Sequence, residues 1–108
     1  MGGVRWAPTQ VAQLVPTVVR AEDSAECKKA RAAAEQAGRE GRPRTVLRET
    51  SNAKCWKGHQ TLRRALRTNA HLDLHDYAAC AREGSKSSQA DTRALARMCE
   101  AKTSKEGQ

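Results

Sequence analysis

Residues 22–38 read EDSAECKKARAAAEQAG, and this stretch decides the fold class. Asp23 or Ser24 stands where a helix N-cap is wanted, and Glu22, Asp23 and Glu26 gather at the positive end of the helix dipole. Alanines 30, 32, 33, 34 and 37 are the strongest helix formers. The spacing predicts a helix over 22–37. Cys27, Ala30, Ala34 and Ala37 fall on one face at a period of 3.6. That face is nearly all small, so another helix can approach it closely. Arg31 and Glu35 form an i,i+4 pair on another side.

Downstream, Gly38, Gly41 and Pro43 end this helix, and GREGRPR (38, 41 and 43 included) reads as a basic loop. Thr45–Leu47 is expected to be briefly extended. Thr50, Ser51 or Asn52 caps a second helix running to about Arg67, whose inner stripe reads Cys55, His59, Leu62 and Leu66. Thr68, Asn69 and Ala70 make a short break. A third helix, about 70–83, carries Leu74, Tyr77, Ala78 and Ala81, with Gly84 as its stop. Ser88-x-x-Asp91 resembles a capping box. A last helix then carries Leu95, Met98 and Cys99 to about Lys102.

Upstream, residues 1–21 form an apolar N-terminal arm, with residues 22–108 as a helical domain. Pro8 and Pro16 interrupt any long helix there. Trp6, Val11, Leu14 and Val15 are its candidate partner-binding residues. The arm has no clear secretory cleavage pattern. Gly2 invites a myristoylation reading, but Trp6 stands where that motif needs Ser or Thr.

Composition narrows the class further. Of 108 residues, 38% are hydrophobic, but 19 of those 41 residues are alanine. Leu, Val, Ile and Phe together number 13 of 108. That is well below the roughly 20% at which a charged chain begins to look disordered. Strand-rich folds need many branched and aromatic residues and are disfavoured. No apolar run is long enough for a transmembrane helix. The expected fold is therefore all-α: a small bundle of about four short helices, with disulfide-stapled hairpins and an extended N-terminal arm.

The cysteines supply the staples. Cys27, Cys55, Cys80 and Cys99 are separated by 27, 24 and 18 residues, and no C-x-x-C occurs. Zinc ribbons and thioredoxin-like sites are disfavoured on that ground. Each cysteine lies on an expected helix, which points to two disulfides across helix pairs. Four cysteines allow three connectivities. If the second and third helices reverse at 68–70, Cys55 and Cys80 come level, and Cys27–Cys99 becomes an outer pair. One alternative is four reduced, buried cysteines acting as small apolar residues. Another is zinc held by Cys55, His59, His71 and His75, since Cys55-x3-His59 and His71-x3-His75 are i,i+4 pairs.

The formal net charge is +8, and residues 50–72 hold Lys54, Lys57, Arg63, Arg64 and Arg67 without an acid. Such a block suits RNA phosphates or an acidic protein surface. Interleaved aromatics for base stacking are absent from it except Trp56. A helix-turn-helix reading is weakened because its reading helix would carry Asp73, Asp76 and Glu83, which phosphate repels. No nucleophile-elbow, P-loop or zinc-protease motif occurs, so no catalytic residues are assigned.

Cys55 and Cys80 on facing helices, with Cys27 and Cys99 as an outer pair and DYAACAREG around Cys80, resemble the coiled-coil-helix-coiled-coil-helix proteins of the mitochondrial intermembrane space. The nine-residue cysteine interval usual in that family does not occur here. The resemblance implies a structural role: a non-catalytic accessory subunit of a large inner-membrane complex, of the respiratory chain, on its intermembrane side. Protein subunits would be its partners, through the arm and through Arg63, Arg64 and Arg67. A peripheral membrane contact is also expected, with no cofactor and no small-molecule substrate. The alternatives are a basic RNA-binding mitoribosomal protein, with Arg39, Arg42 and Arg44 adding to the phosphate contacts, and a zinc-stabilised helical module.

Overall fold

A computed structural model describes residues 23–106, and all regular structure among them is helical. Five α-helices follow one another: α1 Ala25–Arg39, α2 Pro43–Glu49, α3 Gln60–Asp73, α4 Tyr77–Ser85 and α5 Ala90–Glu106. A single 3-10 turn, Ala53–Trp56, stands between α2 and α3. The all-α expectation holds, and two disulfides staple the body. The N-terminal arm, with Trp6, Val11, Leu14 and Val15, lies outside the described residues. Among the described residues no helix is long and apolar enough to cross a membrane.

The opening helix forms as its sequence dictates. Ser24 is the N-cap, and its hydroxyl accepts from the Cys27 amide at 3.1 Å. Glu26 sits in the first turn and Arg39 in the last, each matched to the dipole. Cys27, Ala34 and Ala37 are buried on the small face.

Four local expectations are corrected. Residues 45–47 are helical, because Pro43 takes the first position of α2, where its missing N–H costs nothing. Val46 is then buried against Ala37 and Ala70. The expected helix 52–67 is split: Asn52 caps only the 3-10 turn, and Gly58 at φ 81° redirects the chain before α3. The expected break at 68–70 is the middle of α3, where Thr68 and Ala70 are buried. The reversal falls instead at 74–76, where His75 takes a left-handed φ of 61° and Asp76 caps α4 through the Ala79 amide. At the start of α5, Ser88 shares a hydrogen bond with Thr61, while Ser87 accepts from the Gln89 amide.

The shifted reversal also overturns the expected pairing of cysteines. Cys27 is joined to Cys55, and Cys80 to Cys99. Carrying α3 on to Asp73 sets α4 beside α5, so Cys80 meets Cys99 and Cys55 is left to α1. Each disulfide therefore joins cysteines that are consecutive in the sequence, and α3 lies between the two stapled halves. One half is α1, α2 and the 3-10 turn; the other is α4 and α5.

The core matches the composition. Among the described residues the buried apolar side chains are five alanines, four cysteines, Val46 and Trp56. Trp56 is the largest fully buried side chain, and it packs with Cys27, Ala34 and Cys55, with Leu66 beside them. Gly84, expected to stop a helix, is instead buried within α4 at the crossing with α3 and α5.

Candidate functional site

The polar centre of the body is built on one face of α3. Arg63, Arg64, Arg67 and His71 recur at helical spacing, so this face runs alongside both α2 and α4. Thr50 ends α2 and is fully buried; its hydroxyl donates to the Val46 carbonyl at 2.7 Å. Arg63 Nε donates to the Thr50 carbonyl at 2.8 Å, and Arg67 Nη1 donates to Thr50 Oγ1 at 3.0 Å. Arg67 also reaches the Leu47 carbonyl at 3.4 Å. The arginines thus supply donors to the Leu47 carbonyl in the last turn of α2 and to the carbonyl of its C-cap, Thr50.

On the other side, Glu83 of α4 bridges two arginines. Arg64 Nη1 donates to Glu83 Oε2 at 3.1 Å, and Arg67 Nε donates to Oε1 at 3.2 Å. All three side chains are less than a third exposed, at 27%, 19% and 16% for Arg64, Arg67 and Glu83. Burial pushes Arg63 below the ordinary arginine range, and repulsion from Arg67 adds to this. A further arginine, Arg31 of α1, donates to the Cys55 carbonyl at 2.6 Å and so tethers the 3-10 turn.

Arg63, Arg64 and Arg67, singled out in the sequence as partner-binding residues, thus all have partners inside the chain. The basic residues expected in the loop lie elsewhere: Arg39 bonds Gln36, and Arg42 bonds Glu40. Both are exposed.

The zinc alternative is corrected. Cys55 is consumed in its disulfide with Cys27. His59 and His75 flank opposite ends of α3, about 20 Å apart by helical rise. His59, expected on the inner stripe, is exposed, and His75 is stacked on Tyr77 with ring centroids 5.8 Å apart. His71 alone of the four lies against the arginine network. Its Nδ1 is buried without a hydrogen bond, 4.0 Å from Asp76 Oδ2. Among the described residues, no three His, Cys, Asp or Glu side chains come together as metal ligands.

A polar cleft of about 230 Å³ opens between α3 and α4 beside this network. Arg64, Arg67, Arg82 and Lys86 line it, together with Asp76 and Glu83. A second, more apolar groove of about 380 Å³ lies where α1, α2 and α3 meet, with the half-exposed Leu62 in its wall.

Three important residues carried little signal. Trp56 was visible only as an aromatic residue beside Cys55. Thr50 appeared as one of three candidate caps. In the sequence Glu83 reads as an acid that disfavours a DNA-reading helix, whereas in the fold it is the counter-charge to two arginines. Against known proteins, no family model, no curated protein and no solved structure matches this chain.

Proposed function

We propose that this chain is a non-catalytic accessory subunit of a large mitochondrial inner-membrane complex, of the respiratory chain, on the intermembrane side. One observation carries the reading: a body with little apolar volume of its own is closed by two disulfides, Cys27–Cys55 and Cys80–Cys99. Disulfides of this kind persist in oxidising compartments. The intermembrane space is one such compartment, and a helical body stapled by disulfides supports that choice, although the consecutive pairing differs from the facing Cys55 and Cys80 on which the resemblance rests. A core made mainly of alanine and cysteine contributes limited burial energy, so contact with neighbouring subunits would add to stability. The work of such a subunit is mechanical: rigid stapled helices and an apolar arm hold neighbours in place, with a peripheral contact to the membrane.

The test is native purification from mitochondria of the source organism, with alkylation before reduction. Co-purification with inner-membrane complex subunits, exposure to protease only after the outer membrane is opened, and no alkylated cysteine are expected. A matrix or secreted location would defeat the assignment.

The RNA-binding reading draws support from the exposed Arg39, Arg42 and Arg44. It is weakened by the internal bonds of Arg63, Arg64 and Arg67. Binding to mitoribosomal RNA that falls steeply with salt would restore it.

A further inference from the structure

The cleft between α3 and α4 holds a charge imbalance that the fold does not resolve. Four cations, Arg64, Arg67, Arg82 and Lys86, line it, against the carboxylates Glu83 and Asp76. Glu83 is already committed to Arg64 and Arg67. Asp76 accepts from the Ala79 amide as the cap of α4. Arg82 and Lys86 make no ion pair among the described residues, and both are exposed. Arg64 is bonded through Nη1 alone, so its other N–H groups remain available as donors.

The two helices run antiparallel through the 74–76 reversal. Residue 67 therefore stands near the level of residue 83, and residue 64 near the level of residue 86. Arg64 and Lys86 both line the cleft, with Arg82 one residue before Glu83 on the same helix. The cations outnumber the carboxylates in this lining, and an excess of one sign in a confined cleft focuses potential and attracts a counter-ion. The cleft, at about 230 Å³, is smaller than the roughly 300–1,000 Å³ typical of sites for organic ligands, and so suits a small ion or the tip of a side chain.

We propose that this cleft binds an oxyanion of the phosphate class, held by Arg64, Arg82 and Lys86, with Glu83 fixing the Arg64 and Arg67 guanidinium groups in place. Charge-assisted hydrogen bonds from guanidinium to phosphate oxygens are the strong members of their class. The site is separate from the disulfides and from the accessory role proposed above, and it stands or falls independently of them.

The oxidised full-length protein is titrated with sodium phosphate while amide and arginine side-chain resonances are followed. Sodium chloride at matched ionic strength is the control. Saturable shifts confined to residues 64–71 and 76–86 are expected. The double variant Arg82→Gln/Lys86→Gln should weaken binding about tenfold or more, with its unfolding midpoint unchanged. Arg97→Gln, which removes an exposed charge from α5, should leave it intact. O-phosphoserine is titrated alongside. Tighter binding of phosphoserine identifies a phosphorylated partner as the source, and tighter binding of inorganic phosphate a free ion. Equal shifts with chloride, shifts spread over the basic surface, or full binding by the double variant would overturn the proposal.

Discussion

Gly84 lies so close beneath Ala96 that a Cβ on the glycine would stand 2.9 Å from the alanine Cβ. The same methyl group would meet Thr68 Cγ2 and the Thr92 carbonyl oxygen, each at 3.0 Å. Three helices therefore cross at a point where only hydrogen fits. In a free helix, Gly→Ala would stabilise by up to about 1 kcal/mol. Here the obstructing atoms belong to backbone and short side chains that cannot swing away. Gly84→Ala should instead lower stability by about 1–3 kcal/mol, read as a fall in the urea midpoint. Gly38→Ala is the contrasting case. Its nearest obstacle is Leu66 Cδ2 at 3.1 Å, the end of a flexible side chain. That variant should be neutral or slightly more stable than the parent.

Peptide mapping without reduction should recover Cys27 with Cys55 and Cys80 with Cys99. The loops they close span 28 and 19 residues, which the chain-entropy treatment values at about 3–4 kcal/mol each. For a body with so little apolar volume this is a large share of the usual stability. The paired substitution Cys27→Ser/Cys55→Ser should leave circular dichroism helical only in the cold, or abolish the thermal transition. Retention of a cooperative transition near the parental midpoint would mean that the disulfides contribute little.

Trp56 is the largest buried apolar side chain in the half of the body that contains α1. It is fully buried, and its indole N–H donates to the Glu49 carbonyl at 3.2 Å. Trp56→Phe keeps most of the packing and leaves that part-buried carbonyl without its donor, at a cost of about 1–3 kcal/mol. Trp56→Ala should cost about 3–5 kcal/mol. Denaturation curves followed by circular dichroism would rank the two, and equal losses would contradict a packing role.

The fold class was legible because it depends on local chemistry. Alanines at helical spacing, Ser24 as cap and Glu26 in the first turn all act within one segment, and α1 formed accordingly. The connectivity was not legible, because it hangs on one reversal. Thr68 and Asn69 are mediocre helix formers, yet Thr68 is buried against Gly84, so tertiary packing overrides propensity there. The true reversal uses His75 at positive φ, a conformation histidine takes more often than most side chains but still only occasionally, so the residue alone does not mark the turn. Moving that reversal by a few residues exchanged the partners of every cysteine. The basic block misled in a similar way. Its arginines looked free because their partners, the Thr50 carbonyl and Glu83, are distant in sequence.

Glu83 makes this dependence testable. Glu83→Gln leaves Arg64 and Arg67 less than a third exposed without their counter-charge. Breaking a buried pair from one side costs about 3–5 kcal/mol, and partial exposure here reduces that to about 1–3 kcal/mol. Arg64→Gln removes one of two bonds to Glu83 and should cost less than Glu83→Gln. A double-mutant cycle on the pair should give a coupling of about 1 kcal/mol, and a coupling near zero would make the bridge energetically idle.

Finally, His71 should give the fold an acid-side weakness. Burial holds its imidazole below the ordinary value of 6.5, and Arg67 and Arg82 push the same way, against Asp76 and Glu83. The unfolded chain therefore takes up this proton at a higher pH than the folded one. Stability from the neutral imidazole is fully present above about pH 6.5 and is lost as the pH falls through the unfolded value, levelling off once the folded group is also protonated. Urea midpoints at pH 7.5, 6.5 and 5.5 should fall in that order, in a range where exposed carboxylates remain charged. His71→Gln removes the titrating group, so its midpoint should change less across the same range. An identical slope in both proteins would place the pH dependence elsewhere in the body.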